Sequence, residues 1–225
     1  MVPGVTSVNK KGGPMAQRLL DWYIREGKKS KKKSADAASI GKLVHKYAEF
    51  KTEGKEFDWN EVEDHKDSEK IKRCIRLYEN WYKDNEDKVL GTELLIGSPK
   101  LLFGGMIDRL VYSRKWGKVI DDYKTSSGFF IDNFIQAAGY SIAAREWLNE
   151  HIDTYRILLF PKTGTEFHTL LVTGDSWLLD GKKVDGNGVT QDDLKQQFLR
   201  NRSSLEFHKR GDKFFDNIYE DLKNE

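Results

Sequence analysis

The stretch that decides the fold runs from Gly104 to Tyr140, GGMIDRLVYSRKWGKVIDDYKTSSGFFIDNFIQAAGY. Leu101–Ser113 and Lys118–Lys124 are rich in β-branched and aromatic residues and flank a short turn, so they read as a β-hairpin. With Arg114, Lys115 and Trp116 as a three-residue loop, Ser113 pairs with Gly117, which takes the left-handed position such loops favour. In that register Asp108 lies opposite Asp122, and cross-strand partners share a face. Lys124, two residues beyond Asp122, points to the same side, while Asp121 and Tyr123 point to the other. Periodicity thus selects Asp122 over its neighbour.

Two ionised carboxylates held side by side repel, and a divalent cation relieves that conflict. Hard oxygen ligands select Mg²⁺ or Mn²⁺ over zinc. Such an ion lowers the pKa of a bound water and neutralises charge on a phosphate oxygen. Lys124 is placed to orient the attacking water or to stabilise developing negative charge. Gly104 and Gly105 are expected to let a substrate backbone approach closely. The same residues also fit a solvated sheet edge with an ordinary ion pair.

Outward from the hairpin, the chain begins with helices. Pro14–Arg25 carries Leu19, Leu20, Tyr23 and Ile24 at helical spacing, with Gly27 as a stop. A second helix, capped by Ser34 or Asp36, runs to about Thr52, and a third spans about Asn60–Asn85. A strand at Val89–Ile96 precedes the hairpin. A helix at about Asp132–Asn149, a strand at Tyr155–Phe160 and a further strand reaching Val172 follow it. Asp175–Val189 is glycine-rich and has no clear pattern. Thr190–His208 and Lys213–Leu222 read as two separate helices. The order, helices then β-β-β-α-β then helices, predicts an α/β fold with a mixed sheet flanked by helices. The 225 residues suit a single domain with a sizeable core. Its expected parts are a helical region 1–88, an αβ core 89–173 and a helical elaboration 174–225.

Composition excludes several classes. Hydrophobic residues are 38% and charged residues 33%, with a formal net charge of only +2. Cys74 is the one cysteine, which rules out an internal disulfide framework and a cysteine-ligated zinc or iron–sulfur site. Neither a membrane span nor a signal-peptide stretch is visible, so an intracellular, cytoplasmic setting is expected. Charge is uneven. Lys28, Lys29, Lys31, Lys32 and Lys33 form a basic run that reads either as a solvated face or as a phosphate-backbone contact. Residues 56–69 hold seven acids against Lys66.

Two further pairs share helix faces. His45 and Glu49 lie at i and i+4, at the margin of the stripe Ile40, Leu43, Val44, Tyr47 and Phe50. A neutral imidazole suits Mn²⁺, with Glu49 orienting it or acting as a further ligand. Gln136 and Tyr140, also i and i+4, start soon after the Lys124 strand ends, where amide and phenol can bond to phosphate. Phe129 and Phe130 are the aromatics best placed to stack on bases, whereas Trp22 and Tyr23 read as core.

In order, these residues resemble the RecB-like branch of the PD-(D/E)xK nucleases, which have the restriction-endonuclease-like fold. The matching strings are Gly41, His45 and Glu49; Gly105, Asp108 and Arg109; Asp122, Tyr123, Lys124 and Thr125; and Gln136 and Tyr140. The opening VPGVTSV is similar to the start of many phage and mitochondrial single-domain members. The resemblance covers about residues 1–172. It implies an α-β-β-β-α-β core and Mg²⁺- or Mn²⁺-dependent hydrolysis of DNA phosphodiester bonds, usually by exonucleases that prefer single strands or ends. It implies His45, Asp108, Asp122 and the Tyr123 backbone carbonyl as metal ligands, Lys124 as the catalytic lysine, and Gln136 and Tyr140 as residues that shape the site and contact DNA. Arg109 and Thr125 come with it as DNA contacts. Glu93 occupies a place where some members carry a further acid. The chain lacks the four cysteines of the iron–sulfur subgroup and has no phosphate-binding loop of a motor, so it is expected to be a stand-alone nuclease domain, or a subunit that borrows a motor from a helicase or recombination partner. Two alternatives stay open: a catalytically inactive DNA-binding or structural module, and a sequence-specific endonuclease.

Overall fold

The computed structural model describes residues 2–13 and 17–223, with the side chains of 17–20 and 211–223 left out. The start of the expected first helix at Pro14, and the side chains of Leu19 and Leu20, lie outside the described residues. The elements in chain order are α1 (Val5–Gly12), α2 (Gln17–Glu26), a 3-10 turn (Gly27–Lys29), α3 (Ser30–Glu53), α4 (Asn60–Glu63), α5 (Ser68–Lys83), β1 (Lys88–Ser98), β2 (Phe103–Ser113), β3 (Gly117–Lys124), α6 (Ile131–Trp147), β4 (Thr154–Leu159), β5 (His168–Thr173), β6 (Ser176–Leu179), β7 (Lys182–Val184) and α7 (Gln191–Lys223). The strands form one mixed sheet in the order β1-β2-β3-β4-β5-β6-β7. Only β3 and β4 run parallel, joined by the α6 crossover that such a pairing requires.

The hairpin has the register its turn dictates. Ser113 pairs with Gly117, Gly117 has φ +68°, and pairing continues to Arg109–Asp121. β3 lies between antiparallel β2 and parallel β4, with helices on both sides, so Val119 to Tyr123 are all buried. On one face α6, α1 and α7 pack through Phe134, Ala137, Ala138, Val5, Val8 and Phe198 onto Ile120, Ile157 and Val172. The small residues of α6 let α7 come close: a Cβ at Gly139 would lie 2.5 Å from the Phe198 ring. Burying a side chain such as Phe198 contributes about 1.5–3 kcal/mol. On the other face Ile40, Val44 and Tyr47 of α3 and Ile71, Cys74 and Tyr78 of α5 cover Tyr123, Leu158 and Phe160.

Several boundaries differ from the sequence reading. The helix expected over 60–85 is two, because the chain turns between α4 and α5. α3 begins at Ser30 rather than at Ser34 or Asp36, since Gly27 (φ +51°) interrupts only long enough for the 3-10 turn. The two C-terminal helices are one continuous α7. The patternless 175–189 region holds β6 and β7. Its Asp180-Gly181 turn has φ +47° and +79°, as a two-residue hairpin of the primed type requires. Among the described residues no helix is long and apolar enough to cross a membrane.

Candidate metal centre

Three acids fall in line across β1, β2 and β3. β1 carries one extra residue between Val89 and Gly91, which advances its register on β2 by one. Thr92 then faces Arg109 and Leu94 faces Ile107, so Glu93 comes opposite Asp108. Without that bulge Glu93 would meet Ile107. Glu93 also has φ +44°, a left-handed backbone that costs a non-glycine residue of order 1 kcal/mol or more. Asp122 continues the row on β3, one step past the last β2–β3 pair.

α3 closes the site from above. His45 Nε2 donates to the Tyr123 carbonyl at 3.0 Å, and its Nδ1 lies 3.4 Å from Asp108 Oδ1. Asp108 Oδ2 accepts the Tyr123 N–H at 2.7 Å. One ligand atom from each of His45, Glu93 and Asp108 lies within 4.8 Å of the others. Nitrogen and oxygen donors without sulfur suit a hard divalent cation. These three side chains could together hold a metal ion.

Asp122 departs from the expected ligand set. It does not belong to the converging group; its Oδ2 is ion-paired with Lys124. Burial, with Asp108 beside it, pushes the Asp122 carboxyl above the usual carboxylate range despite Lys124. Burial acts on Asp108 the same way. There the His45 imidazole, Lys124 and the Tyr123 N–H outweigh it and hold the group below the ordinary range. Burial and the Asp108 charge push Glu93 up to about 7. Burial alone would lower His45, but Asp108 turns the net shift upward.

Gln136 and Tyr140 sit together as expected: the Gln136 amide donates to the Tyr140 oxygen at 2.6 Å. Burial, then the charges of Asp122 and Asp108, keep the Tyr140 phenol above its ordinary range, so it remains a proton donor. Thr6, which the sequence reading passed over, accepts a second Gln136 N–H at 3.1 Å. α1 is anchored there by Gly4 bridging Gly104 and by the Gly104 N–H donating to the Pro3 carbonyl at 3.1 Å. Gly105, expected to admit a substrate backbone, instead faces filled space: a Cβ there would lie 2.7 Å from the Tyr140 ring and 3.0 Å from Val5.

Other expected contacts are placed elsewhere. Arg109, expected at DNA, is 1% exposed on the far side of the sheet. It donates to Asp121 at 3.3 Å and to Asn85 at 3.1 Å, and lies over the Trp81 ring. Thr125 is buried beneath α3 near Gly41. Phe129 packs against the core, and only Phe130 is exposed. The Lys28–Lys33 run is exposed on the 3-10 turn and the first turn of α3, with Lys33 paired to Glu26. At about 1.5 Å per residue, Lys33 lies about 18 Å along the helix from His45. The acidic run 56–69 forms surface pairs such as Glu63–Lys72 and Asp67–Lys70, which are worth little individually. Glu49 instead lines a groove of about 600 Å³ together with His45, Glu93, Phe50 and Met106.

Comparison of the chain with protein families and with curated proteins finds no match.

Proposed function

We infer that the chain is a metal-dependent DNA nuclease of the RecB-like PD-(D/E)xK type, built on a restriction-endonuclease-like core and acting on single strands or DNA ends. The observation that carries this reading is the convergence of His45, Glu93 and Asp108 within 4.8 Å, with the Asp122–Lys124 pair next to them. The element order α3-β1-β2-β3-α6-β4 supports it as well.

His45, Glu93, Asp108 and the Tyr123 carbonyl would hold Mg²⁺ or Mn²⁺. When bound, the ion supplies charge neutralisation at a phosphate oxygen and a water of lowered pKa. Asp122 fixes the Lys124 ammonium at the edge of the site. From there it can orient the attacking water or stabilise the charge that develops on phosphorus oxygens. Tyr140 accepts from Gln136, and its O–H is the proposed donor to a phosphate oxygen. Thr6 fixes the amide that holds it. Arg109 takes no part at the DNA.

The test is hydrolysis of 5′- and 3′-labelled single and double strands with Mg²⁺ or Mn²⁺ and with chelator. The expected result is degradation only with metal, lost in Lys124→Ala while the fold persists. Metal-dependent activity that survives Lys124→Ala contradicts the mechanism. A fixed banding pattern on plasmid DNA instead indicates a sequence-specific enzyme.

A further inference from the structure

Beside the metal donors the sheet carries an exposed apolar pair with no counterpart in the core. Leu95 and Met106 are cross-strand partners on β1 and β2, so they share a face. They are 72% and 42% exposed. Leu95 lies two residues past Glu93, and Met106 two residues before Asp108. Along a strand that is about 7 Å, within reach of the sugar and base attached to a phosphate held at the donors. Met106 and Glu93 line the same groove, which ends at His45. Its volume, about 600 Å³, is in the range of sites for small organic groups.

The charges around the groove sort by position. Lys42 and Lys46 from α3 line it and suit phosphate. Lys46 also pairs with Glu61 and covers the Phe50 ring at 5.7 Å, which leaves that ring's face unavailable for stacking. Glu49, one helical turn from His45, lies close enough to Glu93 to raise its carboxyl and so belongs to the metal end. Met106 lines the groove, and its exposed partner Leu95 extends the apolar surface along the sheet beside it. Leu and Met are side chains that insert between bases and unstack them. Met adds a polarizable sulfur that packs well on aromatic faces.

We propose that Leu95 and Met106 form a base-binding ledge, against which the unstacked base of the nucleotide at the scissile phosphate packs. This rests on the nuclease reading and deepens it: the substrate is single-stranded or frayed at the site. The ledge contributes to substrate binding, and the chemistry stays with the metal donors and Lys124.

The experiment compares wild type with Leu95→Ala/Met106→Ala in Mn²⁺, on a labelled single strand and on the same strand with an abasic nucleotide at the cleaved position. In the double variant KM for the intact strand rises about 10-fold, and kcat changes little. The wild type loses the same factor on the abasic strand, and the two proteins become equal there. Both side chains are exposed, so the melting temperature is unchanged. Equal KM values on the intact strand overturn the ledge alone, as does a deficit of the variant that persists on the abasic strand. A wild type that hydrolyses neither strand overturns the nuclease reading, and the ledge with it.

Discussion

Asp121 and Asp122 are adjacent on β3, both buried, and differ in almost every other respect. Asp121 accepts from Arg156 at 2.7 and 2.9 Å and from Arg109 at 3.3 Å, so both of its oxygens are bonded. Arg156 extends the network to Asp87 at 2.7 Å, and Arg109 to Asn85. Asp122 has one lysine and a second carboxylate nearby. A single step along a strand thus separates a carboxylate held between two guanidinium groups from one held between a lysine and another carboxylate.

Substitutions can break this comparison from either side. Asp121→Ala should be the most damaging to stability, because it takes the carboxylate partner from buried Arg109 and leaves Arg156 with Asp87. A loss of about 3–5 kcal/mol is expected from urea unfolding. Asp122→Asn, one residue away, should leave unfolding nearly unchanged or shift it in the stabilising direction. In activity the order reverses. Lys124→Ala and Asp122→Asn should each lower metal-dependent hydrolysis about 100- to 1,000-fold, measured as kcat on labelled oligonucleotides. An Asp121 variant that still folds should keep most of it.

Gly105→Ala sharpens the account on the site's own side. The new methyl meets the Tyr140 ring and Val5, so overpacking of about 1–3 kcal/mol is expected. Tyr140 would be displaced from Gln136, with a loss of activity larger than the shift in melting temperature explains.

The smallest effect concerns acid. Burial raises the Asp87 carboxyl, but Arg156 outweighs it, and the folded-state value lies below the ordinary one. The stabilisation is therefore present above the unfolded value of about 3.9 and lost as pH falls through the folded value. Wild type should melt higher than Asp87→Asn at pH 5 and above. That gap should close as pH drops below about 4. A gap that widens in acid would contradict the direction of the shift.

How much of this was legible depends on how local the cause is. The Asp108–Asp122 alignment follows from one turn: Gly117 supplies the left-handed residue, and the register is counted from it. The Asp121/Asp122 choice follows from period two. Glu93 is a different matter, because a bulge at Leu90, which no turn residue announces, decides whether it faces Asp108 or Ile107. Arg109 looked like a motif residue. Its partners Asn85, Asp121 and Trp81 come from three elements, and no spacing within one element reveals them. The β6–β7 hairpin is the one miss with a local signal, since Asp180-Gly181 names its turn. At the site, Thr6 joins only because α1 folds back on Gly104.

The central claim is that His45, Glu93 and Asp108 form a metal site set against the Asp122–Lys124 pair. Titration calorimetry with Mn²⁺ tests it most directly, on wild type, Asp108→Ala and Asp121→Asn. Saturable binding to wild type and to a folded Asp121→Asn, with none to Asp108→Ala, is the result expected. Absence of binding to wild type, or equal binding to Asp108→Ala, would contradict it.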